Sequence, residues 1–307
     1  MDRRVELGGP GYQTSIPDWV SWPTYRGGDV SWTRRFLHEL ARKGASADLS
    51  FFSFEWYPFD NGCAPPAPQL AQAPGLLDRL LAAQTAEGLS PRLPKLITEY
   101  GYSAFATRDM VDLPGALLNV DIVGRFLADG GGVAYSYGYE PDSLISELSA
   151  CNTWGNLILF LSDDAHAIKQ PVASLWGARL LTREWLQAGH GVHSLYAVSG
   201  MPRDGRGEQL VTAYAVRRPD GRVAVLALNK DPRRSWTLAV RVRQGGGMTP
   251  LAGPLRVRRF SRAQYVWHAQ GARGYARPDR PPAASLLRDA SAVTLAPYSL
   301  TVLRTRP

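Results

Sequence analysis

The chain has 307 residues, 45% of them hydrophobic, enough for one large domain or two ordinary ones with buried cores. Its net charge of +8 comes from 31 Arg and 4 Lys scattered without a basic run or a nucleic-acid motif, which argues against nucleic-acid binding as the main task. No run of about 18 apolar residues occurs, so no membrane span is expected, and Met1-Asp2-Arg3-Arg4 leads into a strand-like stretch without the apolar core of a secretion signal.

From residue 1 to 188, short apolar strands alternate with amphipathic helices, the pattern of βα units and a parallel sheet. Four units are predicted. Val5-Glu6-Leu7 runs into Gly8-Gly9-Pro10-Gly11, followed by a helix over 30–43 that Gly44 ends. A strand over 49–54 stops at Glu55-Trp56-Tyr57-Pro58, and a Pro-rich loop leads to a helix over 75–87. The third strand is Lys95-Leu96-Ile97-Thr98-Glu99, with a helix from Pro114 to Asp129. The fourth, 133–137, ends in Gly138-Tyr139-Glu140-Pro141, and helices are predicted over 154–161 and 171–187. After Gly189 alternating strands and turn signals replace this pattern, with a hairpin over 211–216 and 223–228 and further strands at 236–242, 255–260, 263–268 and 292–303. An all-β sandwich over 189–307, packed on an α/β part over 1–188, is the expected arrangement.

Glu99 closes an apolar strand. A charge in the middle of a buried parallel sheet is costly, so its carboxylate belongs at the strand's mouth, among polar partners or ligand. The other strand ends are alike in kind: Gly8 to Gln13, Glu55-Trp56-Tyr57-Pro58, Glu99-Tyr100-Gly101-Tyr102 and Tyr137-Gly138-Tyr139-Glu140. Aromatic faces pack on the C–H surfaces of sugars while carboxylates hydrogen-bond hydroxyls or attack the anomeric carbon, so the set suits a carbohydrate.

These segments resemble the retaining glycosidases built on a (β/α)8 barrel, especially the β-xylosidase and α-L-iduronidase relatives. In that pattern a Gly-Gly-Pro segment ends strand five, an aspartate-led strand six ends in a Ser-x-His-x-Tyr-Pro-like motif, an Ile-Thr-Glu segment ends strand seven and an aromatic segment ends strand eight. Gly8-Gly9-Pro10, Asp48 to Pro58, Ile97-Thr98-Glu99 and Tyr135 to Tyr139 are similar, in the same order. The resemblance implies the C-terminal half of a (β/α)8 barrel followed by a β-sandwich. It makes Glu99 the nucleophile, with Gln13, Glu55, Trp56, Tyr57, Tyr102, Tyr137, Tyr139 and Glu140 as substrate-binding residues. It implies no cofactor and no metal, a poly- or oligosaccharide substrate, and an extracellular or periplasmic site for a full-length protein; without a signal the chain itself is expected in the cytoplasm.

Two departures stand out. Glu55 occupies the place where the pattern carries His, and no Asn-Glu dipeptide, the pair that supplies the acid/base at the end of strand four, occurs anywhere in the chain. The expectations that follow are a missing N-terminal half-barrel or self-association through open sheet edges, with a non-catalytic carbohydrate-binding protein as the alternative. Other chemistry-bearing residues are read as structural: His38 and His268 as surface or packed residues, His190 and His193 as a weak metal pair, Asp163, Asp164 and His166 as a helix cap, and Arg256, Arg258, Arg259 and Arg262 as a solvated strand face. Cys63 and Cys151 sit in loops and permit either one disulfide or two free thiols.

Overall fold

A computed structural model describes residues 5–12, 31–59, 64–105, 107–144, 156–244 and 246–306. Cys63 and Cys151 lie outside these residues, as does Gln13.

The first half is a parallel sheet in the order β1 (Leu7–Tyr12), β2 (Leu49–Trp56), β3 (Lys95–Tyr100) and β4 (Val133–Ser136). α1 (Trp32–Arg42) starts at Ser31, whose hydroxyl accepts from Arg34 N at 3.1 Å, and stops at Gly44, which takes φ 68°. α2 spans Pro66–Ala86, nine residues more at its start than the sequence predicts. Prolines are tolerated in a first turn, where their missing N–H would be unpaired in any case, so the Pro-rich stretch opens the helix instead of preceding it. α3 (Leu113–Ala128) is capped by Asp112, whose carboxylate accepts from Leu113 N at 2.8 Å.

The apolar face of β2 and β3, carrying Phe52, Phe54, Trp56, Ile97 and Tyr100, is buried in a cluster that includes Leu70, Leu77, Leu80, Leu117 and Phe126 of α2 and α3. The other face is open at β4, where Val133 and Tyr135 are 44% and 54% exposed.

The fourth unit departs from expectation. Of the helix expected over 154–161, the described residues 156–161 are not helical, and β5 (Phe160–Ser162) pairs antiparallel with β6 (Ile168–Pro171). Asp163 is correspondingly no helix cap: it accepts from Ala165 N and Ala167 N in the turn of that hairpin and pairs with Lys169 at 2.6 Å. α4 (Ala173–Arg179) follows and continues into a π-helical turn, Leu180–Trp185.

The second half is antiparallel. β7 (Ser194–Tyr196), β8 (Val211–Arg217), β9 (Val223–Asn229), β13 (Ala252–Phe260), β16 (Ala283–Asp289) and β18 (Ser299–Thr305) form a six-stranded sheet in the order β16-β13-β18-β9-β8-β7. Smaller pairs are β10 (Trp236–Leu238) with β17 (Val293–Leu295), β11 (Arg241–Gln244) with β12 (Gly247–Pro250), and β14 (Tyr265–His268) with β15 (Tyr275–Asp279). One face of the large sheet, with Leu226, Leu228, Phe260, Leu300 and Val302, joins the core of the first half. The other, with Val225, Leu255, Val257 and Leu303, packs on Val293, Leu295 and Leu251.

A polar pin crosses the junction. Asp121 of α3, 1% exposed, accepts from the Thr212 and Tyr214 hydroxyls of β8 at 2.6 Å each and pairs with Lys230 Nζ at 2.9 Å. The Tyr214 ring lies where a side chain on Gly124 would stand, so that glycine sets how closely α3 approaches β8.

Candidate active site

The site is built on the C-terminal ends of β2, β3 and β4. β2 runs through Glu55 and Trp56 instead of ending before them. Ile97 is opposite Phe54, but the next pair is Glu99 with Glu55, so Thr98 is an extra residue in β3. Its hydroxyl donates to Phe54 O at 3.2 Å. Side chains alternate faces along a strand, and Ile97 is fully buried in the core. Without the bulge Glu99 would follow Ile97 into the core. The added residue reverses the parity, setting Glu99 beside Glu55 on the open face and returning Tyr100 to the core opposite Trp56.

The Tyr57 hydroxyl donates to Glu99 Oε2 at 3.0 Å. Tyr57 is buried, and burial first, then the charge of Glu99, holds its hydroxyl protonated far above the usual tyrosine range. Glu55 is raised above the ordinary carboxylate range by burial and next by the charge of Glu99. The Glu99 carboxylate thus accepts from a protonated phenol, and Glu55 lies beside it in the neighbouring strand. The Tyr137 ring stands edge-on to Tyr57, centroids 6.5 Å apart and planes at 78°, and is half exposed. Gly138 follows with φ 71°, its Cα so close to the Leu157 carbonyl that a Cβ there would collide. Leu157 packs against Gly101 and Gly138 together, closing the crevice behind Tyr137; nothing in its local sequence signals this role.

Of the residues singled out in the sequence, Glu55, Tyr57, Glu99 and Tyr137 come together. Tyr139 and Glu140 are exposed beyond them. Trp56 is 2% exposed within the core, because its position in β2 has the parity of Phe52 and Phe54. Tyr102 is also in the core, its hydroxyl donating to Gln69 Oε1 at 2.7 Å. Both are thus turned away from the open face. His193 Nε2 accepts from Gln187 N at 2.9 Å, a local loop bond. Among the described residues, no group of three or more His, Cys, Asp or Glu is placed to hold a metal ion, and no helix is long and apolar enough to cross a membrane.

No protein-family model matches the chain, and no curated protein matches it. Solved structures do. The family 51 arabinofuranosidase from Xanthomonas axonopodis pv. citri superposes with a TM-score of 0.61 at 16% identity, over 90% of this chain and 55% of its own. The family 44 endoglucanase from Clostridium thermocellum gives 0.54 at 16% identity, over 98% and 57%. The catalytic domain of a family 30 xylanase from Talaromyces cellulolyticus gives 0.51 at 16% identity, over 91% and 50%. The chain thus spans about half the length of the solved structures it matches. The likeness is one of fold, and it bears out the resemblance that the ordered strand ends carry: the chain folds like part of a (β/α)8-barrel glycoside hydrolase.

Proposed function

We propose that this chain is the nucleophile-bearing part of a retaining glycoside hydrolase acting on a poly- or oligosaccharide. In this reading residues 1–188 are strands five to eight of the barrel and 189–307 its β-sandwich. Glu99 attacks the anomeric carbon, and the glycosyl–enzyme ester so formed is then opened by water. The observation that carries the reading is the Tyr57–Glu99 hydrogen bond of 3.0 Å on the open face, made available by the bulge at Thr98. A donor of this kind holds the carboxylate in one orientation for in-line attack. The mechanism needs a second carboxyl about 5–5.5 Å away to protonate the leaving oxygen and later to activate water. Glu55 and Glu140 are the remaining strand-end carboxyls, and neither belongs to the strand that supplies this acid in the resembled pattern. The acid/base is therefore assigned to four further βα units completing the barrel. A polysaccharide substrate sets the complete protein outside the cytoplasm, in the extracellular or periplasmic space.

The test is hydrolysis of a panel of aryl glycosides and polysaccharides by the chain supplied with four barrel-completing units. Glu99→Gln should lower turnover at least ~10³-fold while substrate binding persists. The alternative is a carbohydrate-binding protein in which Glu99 and the tyrosines at the strand ends only hold sugar. Retained polysaccharide binding with no turnover of any substrate would select it.

A further inference from the structure

The arginines that the sequence places on one solvated strand face do not share one. Arg259 turns to one side of the sheet and donates to Ser285 Oγ at 2.7 Å, while Arg262 stands over the Tyr298 ring at 6.0 Å. Arg256 and Arg258 have the opposite parity. Arg258 Nε reaches Glu184 Oε1 at 3.2 Å, and Arg304, the partner of Arg256 across β18, reaches Glu184 Oε2 at 3.3 Å. A third guanidinium, on Arg218, donates to the Glu184 backbone carbonyl at 2.8 Å. Glu184 on the π-helical turn thus serves two cations with its carboxylate and a third with its backbone carbonyl. Nε of Arg218 and of Arg304 is buried without a hydrogen-bond partner, and Arg218 is 6% exposed. Asp220 adds a second carboxylate, 3.4 Å from Arg218 and 3.5 Å from Arg222, and the cluster of Arg218, Arg222, Arg258 and Arg304 still outnumbers these two acids.

Beside it lies a groove of about 140 Å³ lined by Trp176, Arg179, Arg183, Arg258, Pro281 and Pro282, with Glu184, its carboxylate already held by Arg258 and Arg304, in the same wall. Trp176 Nε1 donates to Asp279 Oδ1 at 3.1 Å, which fixes the ring, and the Arg179 guanidinium packs over that ring at 5.4 Å. Among the described residues neither Arg179 nor Arg183 is paired with a carboxylate. A fixed aromatic ring and two prolines form an apolar floor suited to sugar C–H surfaces, and guanidinium forks at the rim match the geometry of a carboxylate.

We propose that this groove is a second carbohydrate site, sharing no residue with the Glu99 site, which takes a uronate-bearing polysaccharide by its carboxylates. The preference for an anion comes from the arginines alone; the choice of a saccharide rests on the glycosidase reading. Binding therefore weakens as ionic strength rises.

Affinity electrophoresis of the full chain carrying Glu99→Gln, in gels containing polygalacturonate, tests this without cleavage of the ligand. We expect retardation by polygalacturonate, little by neutral xylan, and a loss of about tenfold in affinity in Arg179→Gln/Arg183→Gln with an unchanged melting temperature. The control Arg206→Gln/Arg233→Gln makes the same change in net charge at exposed positions elsewhere. If it weakens binding as much, the general field of the protein is responsible and the groove is not a site. Unchanged retardation in the groove variant, equal groove-dependent retardation by neutral xylan, or groove dependence with heparin but not polygalacturonate would each overturn the proposal. Turnover is read separately on the wild-type chain with its completing units. Groove binding without turnover sinks the hydrolase reading alone, and turnover without groove binding sinks this inference alone.

Discussion

At the scale of single residues, the proposed chemistry rests on two carboxyls side by side and one phenol. The hydrogen bond from Tyr57 goes to a charged acceptor, and such bonds contribute roughly 1.5–3 kcal/mol. Tyr57→Phe should therefore cut kcat/KM of the completed enzyme by about 10–100-fold with little change in fold stability. Glu55 is held above the ordinary range partly by the charge of Glu99, so Glu99→Gln should lower the Glu55 titration midpoint, as read by side-chain carboxyl NMR. A midpoint that stays put would show that burial alone raises it. A further residue tests the loop after β3. Asp109 is pushed up to about 7 by burial and then by Asp112, with Arg108 opposing, and Tyr102, Tyr298 and Arg262 close by. Its proton is bound more tightly in the folded state than in the unfolded one. The stability this supplies is full below about pH 4 and is lost as pH rises through 7. Asp109→Asn, which mimics the protonated group, should match the wild-type melting temperature at about pH 3.5 and below and exceed it by a few degrees at pH 8.

At the scale of elements, the pin between α3 and β8 is the feature whose removal is most informative. Lys230 is fully buried, and Lys230→Met would leave the buried Asp121 carboxylate with only the two hydroxyl donors. Breaking a buried pair in this way costs ~3–5 kcal/mol, readable as a lower urea midpoint. Adding Asp121→Leu should recover part of the loss, which distinguishes an unpaired charge from a simple packing defect. Nothing local announces this pin, because its members lie 109 residues apart in sequence. What sequence does carry is local: β-branched and aromatic runs set the parallel strands, and Gly44 and Pro114 mark helix ends as their chemistry requires. The hairpin at Phe160–Ser162 was hidden because a short apolar run suits helix and strand alike. The start of α2 was hidden because prolines that open a helix look like prolines that prevent one. Most telling is Thr98. A bulge depends on the partner strand's register, so sequence could place Glu99 at a strand end but could not say that Trp56 faces inward while Glu99 faces outward.

At the scale of the whole molecule, the four-stranded parallel sheet is the part with open edges. Among the described residues β1 and β4 each pair on one side only, leaving a row of backbone donors and acceptors at either edge. Next to the β4 edge, Val133, Tyr135 and Tyr137 are exposed at alternate positions, so an apolar ridge adjoins an unpaired strand. In a closed barrel that ridge would be buried by side chains from the remaining strands, and the edge would be paired. On the half-barrel reading proposed above, completing βα units would be the partner of this face, and a second copy of the chain would be the substitute at high concentration. Sedimentation should show the average mass of the chain rising with concentration, and Val133→Lys/Tyr135→Lys should return it to the monomer, because two charges on the ridge cannot be buried unpaired. Adding the completing units in trans should suppress the rise in wild type and should fail to bind the variant. A wild-type chain that stays monomeric throughout would mean that the β4 edge is already satisfied, and the half-barrel assignment would fall with it.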